Sequence, residues 1–566
     1  MSRLYGDPAL VPRMDYFTGR GEEIELFNTH LAALLRGEPR HLHFHGVAGV
    51  GKSTLLERLY KELTDRKDKE SGILHALHDV SEGDHSIPDI LGRLRCSLVE
   101  GHGVRLHSFD FAYLLLLAKR NPGVEFNLRQ YGWLTKTGAL ADLVLPFVMP
   151  TGSVFEKLCR AIEAGTGKRG GPYTRWWTNR GERELYFVQN TNNLNEIVDK
   201  LPRFFAEDLN DWTIQKDVVC VLFLDTHESL VRAFHTGARM AMADAWLRTL
   251  VKELGSGVMV VTAGRDPLNW NGKPDCFDQH EVKELSTDDA KESLQRRGIP
   301  GENLRNHLAA VTGGLPVWLD LCADIAGGIR RHERRVATVE DFPGGYTGDI
   351  GNRLYIRFTT YLDDDENELL KLLAVPRFFS RGLYELLLEG GRHRGLDDRF
   401  ERLLSYSFVQ ESSAGIYRMH DALRRTILAT MPGGKTTALH RRLADHYLAM
   451  AQYERSYEAT SEMWINIDEA VYHCIACHGI DDLRRILKVD ALINAGYGRG
   501  LMKHLGTILA AFGPECDDPY WLAQTGYVSS ALGDKQQALE YYQRALPLCE
   551  RVGDVGGQAT TLNNIG

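Results

Sequence analysis

Short apolar runs separated by helical stretches dominate the first 270 residues of the chain. A short strand is indicated around Leu42 and Phe44, and the continuous apolar run Val218–Leu224 predicts a strand buried on both faces. A third strand is predicted at Val258–Val261. The segment STLLERLY, which follows the first strand closely, places its leucines on one side of a helix. Together these patterns predict a parallel sheet covered by helices.

Helical periodicity takes over after residue 285. Residues 285–298 predict a helix that opens with a Ser-Thr pair able to cap it, and further helices are predicted at 364–375, 380–389 and 397–408. A β-wing, VQESSAGIYRMH, follows the last of them. Three helices and a wing predict a winged-helix domain, and helices continue from about residue 436.

The C-terminal residues predict a helical repeat. Gly526, Ala538 and Ala545 put small side chains at tetratricopeptide (TPR) positions, where two antiparallel helices approach closely. The final residues TLNNIG resemble the start of the next repeat. We therefore expect a TPR array that continues beyond residue 566.

Composition and charge narrow the class of protein. The chain has 566 residues, 25% of them charged, and a net charge of −9, which is not the footprint of a dedicated nucleic-acid-binding protein. No apolar run approaches the roughly 18–20 residues that span a bilayer, and the N-terminus lacks the apolar core of a signal peptide. Nine scattered cysteines are typical of reduced thiols. We expect a cytoplasmic protein with no membrane partner.

The clearest chemical motif is GVAGVGKS, which fits GxxxxGK[ST] between the first strand and the helix after it. Glycines let the backbone wrap around phosphate oxygens, and the N–H groups at the helix N-terminus supply positive potential. Lys52 is expected to reach the β- and γ-phosphates of ATP or ADP, and Ser53 to bind Mg²⁺. The residues of this P-loop predicted to bind nucleotide are Gly46, Gly49, Gly51, Lys52, Ser53 and Thr54.

A P-loop requires an acidic residue for the magnesium ion at the end of a buried parallel strand. Asp225 ends the run Val218–Leu224, and we predict that it binds Mg²⁺ together with Ser53. Glu228 is close enough to orient or deprotonate a water molecule, although a structural role is an equal alternative. Arg265 follows the third strand and is placed to sense a γ-phosphate, with a solvated loop arginine as the alternative.

These motifs, in this order, resemble the STAND class of signal-transducing P-loop NTPases, which are relatives of the NB-ARC and NACHT proteins. Besides the P-loop, the resemblance rests on FTGRGEE at 17–23, GLP at 314–316 and the MHD motif within YRMHD at 417–421. It implies that Arg20 packs beside the adenine and that Pro316 touches the base. It also implies that His420 contacts the β-phosphate of ADP and holds a closed form.

Two features depart from the NB-ARC pattern. NB-ARC proteins usually carry two adjacent acids after this strand, whereas this chain reads DTHE at 225–228, closer to the NACHT spacing. A segment at about 79–209 is inserted between the P-loop and Asp225. Its part 109–122 has helical periodicity, and its cationic, aromatic part 168–181 fits either a surface loop, which is favoured, or nucleic-acid stacking.

Three further patterns have competing interpretations. His41, His43 and His45 share one strand face and fit a metal site, but packing is favoured because helices should cover that face. Residues 473–478 have zinc-like His and Cys spacing, but they fall on two faces of one helix, which favours buried thiols. The helix predicted at 397–408 begins with two aspartates, so an internal clamp is favoured over DNA reading.

The expected fold class is multidomain α/β plus α, with a P-loop parallel-sheet NTPase core, a helical bundle, a winged helix and the start of an α-solenoid of TPR type. The expected segments are an adenine-side segment (1–30), the NTPase domain with its insertion (31–284), the bundle with the GLP motif (285–345), the winged helix ending in MHD (346–435), a TPR-like linker domain (436–515) and the first TPR with the start of a second (516–566).

The resemblance implies a signalling switch controlled by ATP, ADP and Mg²⁺, with slow hydrolysis. Its TPR surface would bind a protein or ligand trigger, activation would lead to self-association, and the effector would lie beyond residue 566 or in a separate polypeptide. Analogy with the family suggests a role in bacterial defence or regulation. Nucleic acid is not an expected partner. The alternatives are a STAND-type transcriptional regulator and a simple ATPase with an adaptor TPR array.

Overall fold

A computed structural model gives the fold of the chain. It describes residues 13–65, 72–81, 86–120, 180, 182–191, 194–228, 244–268, 270, 277–342, 350–388, 396–413, 415–452, 461–477, 509, 516–531 and 535–565. Within this part of the chain, no helix is both long and apolar enough to cross a membrane.

The described residues form a core with a parallel sheet of five strands in the order β2-β3-β4-β1-β5. Its strands are β1 (His41–His45), β2 (Ile73–Asp79), β3 (Val219–Asp225), β4 (Val258–Gly264) and β5 (Phe277–Glu281). Every residue of β4 and all but the first of β3 are buried, as expected of strands covered on both faces. The predicted parallel sheet is therefore confirmed.

Helices cover both faces of the sheet. They are α1 (Gly21–Leu35), α2 (Lys52–Asp65), α3 (Ile87–His102), α4 (His107–Arg120), α5 (Glu182–Asn190), α6 (Leu194–Lys216) and α7 (Ala245–Glu253). Alternate residues of β3 face opposite cores: Val221 and Phe223 pack with α1 and α2, whereas Leu222 and Leu224 pack with the helices of the insertion.

The insertion at about 79–209 therefore supplies one layer of the core. The described residues 109–120 of its segment with helical periodicity lie in α4, as predicted. Its cationic segment lies outside the described residues except for Arg180. That guanidinium lies 2.7 Å from Asp211 Oδ2 and 3.1 Å from Asp208 Oδ1, both on α6. The one described arginine of the segment thus holds a helix in place.

A helical bundle and a winged helix follow the sheet. Their elements are α8 (Thr287–Arg296), α9 (Glu302–Thr312), α10 (Pro316–His332), α11 (Ile350–Thr359), α12 (Asp364–Leu373), β6 (Phe379–Ser380), α13 (Arg381–Leu387), α14 (Leu396–Leu404), β7 (Val409–Ser413), β8 (Ile416–Met419) and α15 (Asp421–Thr430). Ser286 caps α8, because its hydroxyl accepts a hydrogen bond from Asp289 N at 3.1 Å.

The bundle and the winged helix share one hydrophobic core. Among the described residues, its members run from Ala290 on α8 to Leu443. At the seam, the Trp318 ring packs so closely on Gly351 that a Cβ there would stand 2.7 Å from the indole. The two predicted segments 285–345 and 346–435 are therefore packed as one unit.

The remaining helices form hairpins: α16 (Gly433–Gln452), α17 (Ser461–Ala476), α18 (Pro519–Ala531), α19 (Lys535–Val552) and α20 (Val555–Ile565). Cys474 on α17 and Cys477 just after it are buried, and His473 Nδ1 lies 2.7 Å from His440 Nδ1 on α16. His478 lies outside the described residues. Gly526 on α18 packs directly against the Tyr542 ring of α19, which is the close approach that the small residues predict.

Candidate nucleotide site and its interdomain contacts

The glycine loop between β1 and α2 has a backbone that only glycine fits. Gly46, Gly49 and Gly51 have φ values of +151°, +87° and +96°. A Cβ on Gly46 would stand 2.5 Å from the Val282 carbonyl oxygen, and one on Gly49 would stand 2.6 Å from Val317 Cγ1. The loop is therefore both twisted and closely enclosed.

Helix α2 begins at Lys52, so Lys52, Ser53 and Thr54 form its first turn, where free N–H groups attract anions. Lys52 Nζ donates to Gly46 O at 2.7 Å and to Val47 O at 3.1 Å, which places the ammonium across the mouth of the loop. Burial lowers the pKa of Lys52, and the carboxylates of Glu228 and Asp225 oppose that shift.

Asp225 ends β3 and is hydrogen-bonded to the Ser53 side chain. Burial raises the pKa of Asp225, and the nearby carboxylate of Asp79 raises it further. A hydroxyl and a carboxylate oxygen brought together at the first turn of α2 are the hard ligands that Mg²⁺ prefers. These two residues therefore fit a magnesium ion, which would neutralise a buried negative charge.

Asp79 ends β2 and was not singled out for a chemical role from the sequence. It pairs in register with Asp225 across the parallel strands. Its Oδ1 accepts hydrogen bonds from the Ser81 amide at 2.9 Å and the Ser81 hydroxyl at 2.7 Å, and its Oδ2 lies 2.7 Å from Arg418 Nη2 on β8. Burial alone would raise the pKa of Asp79, but Arg418 and these hydrogen bonds lower it overall.

Arg265, directly after β4, lies between two carboxylates. Its Nε is 3.0 Å from Glu228 Oε1, and its Nη2 is 2.7 Å from Asp421 Oδ2 at the start of α15. Glu228 and Arg265, predicted separately as a water-activating base and a phosphate sensor, thus form one ion pair that also reaches the winged helix. Both roles stay predictions.

His41 and His43 on β1 make hydrogen bonds within the core. His43 Nδ1 lies 2.7 Å from Thr262 Oγ1, and its Nε2 lies 3.0 Å from the Asp266 carbonyl oxygen, so the ring fixes the chain on both sides of Arg265. His41 Nδ1 accepts from the Val260 amide at 3.0 Å. Burial lowers the pKa of His43 to about 3, which keeps the ring neutral. These contacts fit the packing interpretation.

Arg20 lies against the P-loop backbone. Its guanidinium donates to Val50 O at 2.6 Å and to Lys283 O at 2.7 Å, with Glu23 Oε1 at 3.2 Å. The side chain is buried and its backbone is left-handed, with φ of +66°. Arg20 therefore joins the N-terminal segment, the P-loop and the residues that follow β5.

The GLP motif contacts the P-loop from the bundle. Pro316 is the first residue of α10, where its lack of an N–H costs nothing. The Val317 amide donates to Gly49 O at 3.4 Å, and a Cβ on Gly51 would stand 3.6 Å from Pro316 Cγ. The motif predicted to touch the base thus lies against the phosphate loop in this structure.

His420 covers the P-loop from the winged helix. It caps α15, because its Nδ1 accepts from the Ala422 amide at 3.3 Å. Its Cε1 lies 3.4 Å from the point where a Cβ on Gly49 would stand. The residue predicted to meet the β-phosphate therefore lies beside the central glycine of the loop.

A parallel sheet, a glycine loop opening a helix, and a lysine, serine and aspartate at its mouth define the class of P-loop NTPases. Residues 16–100 match the family model of the AAA ATPase domain. No curated protein matches the chain.

Three solved structures are similar to parts or all of the chain. A STAND protein with a tetratricopeptide repeat sensor from Pyrococcus horikoshii is 12% identical, with a TM-score of 0.42, over 100% of this chain and 69% of that one. The ORC1 protein of Aeropyrum pernix, solved with DNA, is 15% identical, with a TM-score of 0.31, over 75% of this chain and 97% of that one. The ORC2 protein of the same organism, solved with ADPNP and ADP, is 12% identical, with a TM-score of 0.32, over 75% and 99%.

Proposed function

We propose that this chain is a nucleotide-dependent signalling switch of the STAND type, held closed by its winged helix over a P-loop that binds ADP. One observation carries the proposal: Arg418, His420 and Asp421, close together at the end of β8 and the start of α15, all contact the rim of the P-loop site. Arg418 pairs with Asp79, His420 lies beside Gly49, and Asp421 pairs with Arg265.

The shared core of the bundle and the winged helix supports a particular kind of opening. Separating these two segments would expose a continuous apolar core, whereas separating both from the sheet breaks ion pairs and backbone hydrogen bonds at the P-loop. Partly exposed ion pairs contribute roughly 0–1 kcal/mol each. We infer that the bundle and the winged helix move together against the NTPase core.

The free energy that a trigger must supply follows from the populations of the closed and open forms. To shift the ratio of closed to open form from 99:1 to 1:99, a trigger must prefer the open form by about 5.5 kcal/mol. We propose that a protein or ligand bound to the TPR helices supplies this preference, and that exchange of ADP for ATP with Mg²⁺ then permits self-association. Because Arg265 holds Glu228 in the closed arrangement, we expect ATP hydrolysis there to be slow.

The contacts of α14 argue against a DNA-reading winged helix. Arg399 Nη1 lies 2.8 Å from Asp365 Oδ2, and Arg402 is paired with Glu366. Both arginines of this helix are therefore engaged by carboxylates of the same domain, whereas groove reading requires cationic or amide side chains directed at the bases. This favours the internal clamp over the transcriptional regulator.

The nucleotide content of the purified full chain tests the proposal. We expect close to one ADP per chain, released by denaturation and identified by chromatography, and none with Lys52→Ala. The helices after residue 436 should stay folded in that variant, because Lys52 Nζ donates its hydrogen bonds to the P-loop backbone, at Gly46 O and Val47 O. An empty wild-type protein that turns over ATP rapidly would instead support a simple ATPase.

A further inference from the structure

The carboxylates of Asp79 and Asp225 both lie at the edge of the sheet where Ser53 and Asp225 would hold a magnesium ion. Asp79 and Asp225 end neighbouring parallel strands at the same level, and the Val80 amide donates to Asp225 O at 3.1 Å. Asp79 also accepts a hydrogen bond from the Thr226 side chain, directly after Asp225. A cation held by Ser53 and Asp225 would therefore experience the charge of Asp79 as well.

A cationic side chain of the winged helix already occupies this edge. Arg418 Nη2 lies 2.7 Å from Asp79 Oδ2, and its Nη1 donates to Ser81 Oγ at 2.7 Å. The Ser81 hydroxyl donates in turn to Asp79 Oδ1 at 2.7 Å, which closes a small network. The two charged side chains are only 23% and 16% exposed, so solvent screens them less than a surface pair.

We propose that Arg418 is a positioning residue through which the winged helix senses the metal ion of the nucleotide site. Arg418 and Mg²⁺ compete for the negative charge of Asp79 and Asp225. While Arg418 is docked, it neutralises Asp79 and repels a divalent cation, and when it withdraws, Asp79 strengthens the metal site. This inference rests on the proposed function, because it requires a nucleotide at the P-loop.

The coupling must run in both directions. If the docked wing weakens the binding of Mg²⁺, bound Mg²⁺ must loosen the wing by the same factor. Metal-free ADP would then favour the closed arrangement, and a metal-bound nucleotide would favour release of Arg418. This connects the chemistry of the loop to the movement of the winged helix through one ion pair.

The first test measures metal affinity on the full chain with bound ADP, with Mn²⁺ as the probe and the free Mn²⁺ signal in electron paramagnetic resonance as the readout. Arg418→Gln should bind Mn²⁺ about tenfold more tightly than wild type, which is within the usual range of coupling between sites. Arg418→Lys keeps the charge and should stay close to wild type. Arg381→Gln is the matched control, because Arg381 lies in the same domain and forms an exposed ion pair with Glu385 of its own helix.

The second test uses the wild-type protein, so it does not depend on how a variant folds. Addition of Mg²⁺ to the ADP-bound chain should accelerate hydrogen exchange of the amides at 409–419. In the Asp79→Asn variant, the amides at 409–419 should already exchange rapidly without metal, and addition of Mg²⁺ should not accelerate their exchange further. Equal Mn²⁺ affinity in Arg418→Gln and wild type, or wing exchange indifferent to Mg²⁺, would overturn this inference, whereas failure of ADP to bind at all would overturn the proposed function.

Discussion

Arg265 Nη2 lies 2.7 Å from Asp421 Oδ2, while Arg265 Nε lies 3.0 Å from Glu228 Oε1. One guanidinium thus joins the acidic residue that follows β3 to the first residue of α15. Since Asp421 belongs to the MHD motif and Glu228 to the NTPase core, the position of the winged helix is linked directly to the group proposed to activate water. Removing the Asp421 carboxylate should therefore affect both the position of the winged helix and the surroundings of Glu228.

Asp421→Asn should accelerate the release of ADP. The substitution removes the charge and keeps the shape, and because the two side chains are 26% and 40% exposed, the pair is expected to contribute less than about 1 kcal/mol. That corresponds to a two- to fivefold faster dissociation of a fluorescent ADP analogue, measured by stopped flow. Asp445→Asn, an exposed acid on α16, is the control. The clamp is contradicted if both variants release ADP at the wild-type rate.

Gly49→Ala should abolish nucleotide binding and loosen the contact with the bundle. A methyl group there would meet Val317 Cγ1 at 2.6 Å and would also have to accept a φ of +87°. Gly37→Ala is the control that separates the steric clash from the backbone strain. Gly37 has a φ of +80°, but no neighbour lies within 4 Å of its Cβ position. The control should lose about 1–2 kcal/mol of unfolding free energy and bind ADP normally. Calorimetric titration measures the ADP affinity of the two variants, and urea unfolding measures their stability. Equal ADP affinity in the two variants would contradict the prediction that the close packing around Gly49 is required for nucleotide binding.

Local sequence patterns predict β3 and β4, because strands buried on both faces have continuous apolar runs. The P-loop is also predicted from the sequence, because its residues are consecutive. The role of Asp79 is not predicted in this way, since Asp225 is brought beside it only by strand pairing across the insertion. The strand β6 was missed for a related reason: it has two residues, too few to show alternation, and it forms by pairing with β8. Arg418 lay inside a motif, but its partner is on a strand of another domain.

His43 should contribute a loss of stability to the NTPase core as the pH falls below 6.5. Burial lowers the pKa of this ring to about 3, from an ordinary value of 6.5. Between these two values the unfolded chain binds a proton that the folded chain does not, so the free energy of unfolding decreases as the pH falls. At pH 5 the loss is up to about 2 kcal/mol. The full contribution is present above pH 6.5.

His43→Gln should remove part of this pH dependence, because an amide does not titrate. Urea unfolding at pH 7 and pH 5 would show a smaller difference in the variant, even if its stability at pH 7 is lower. His332→Gln, at an exposed position, should leave the difference as it is in wild type. A variant at position 43 with an unchanged difference would show that His43 is not the responsible group.

Gly526→Ala should destabilise the C-terminal hairpin and leave the nucleotide site intact. The added methyl group would stand 2.7 Å from Tyr542 Cε1, on a ring that is itself buried. Such overpacking costs about 1–3 kcal/mol. Gly434→Ala, in a helix with no neighbour within 4 Å, should be neutral or slightly stabilising.

The double variant Gly526→Ala, Tyr542→Leu should recover part of the loss, because the shorter side chain makes room for the methyl group. Hydrogen exchange over 519–552 measures the hairpin directly, and ADP affinity, expected to be unchanged, measures the site. If Gly526→Ala behaves like Gly434→Ala, the two helices do not pack as closely as the small residues require.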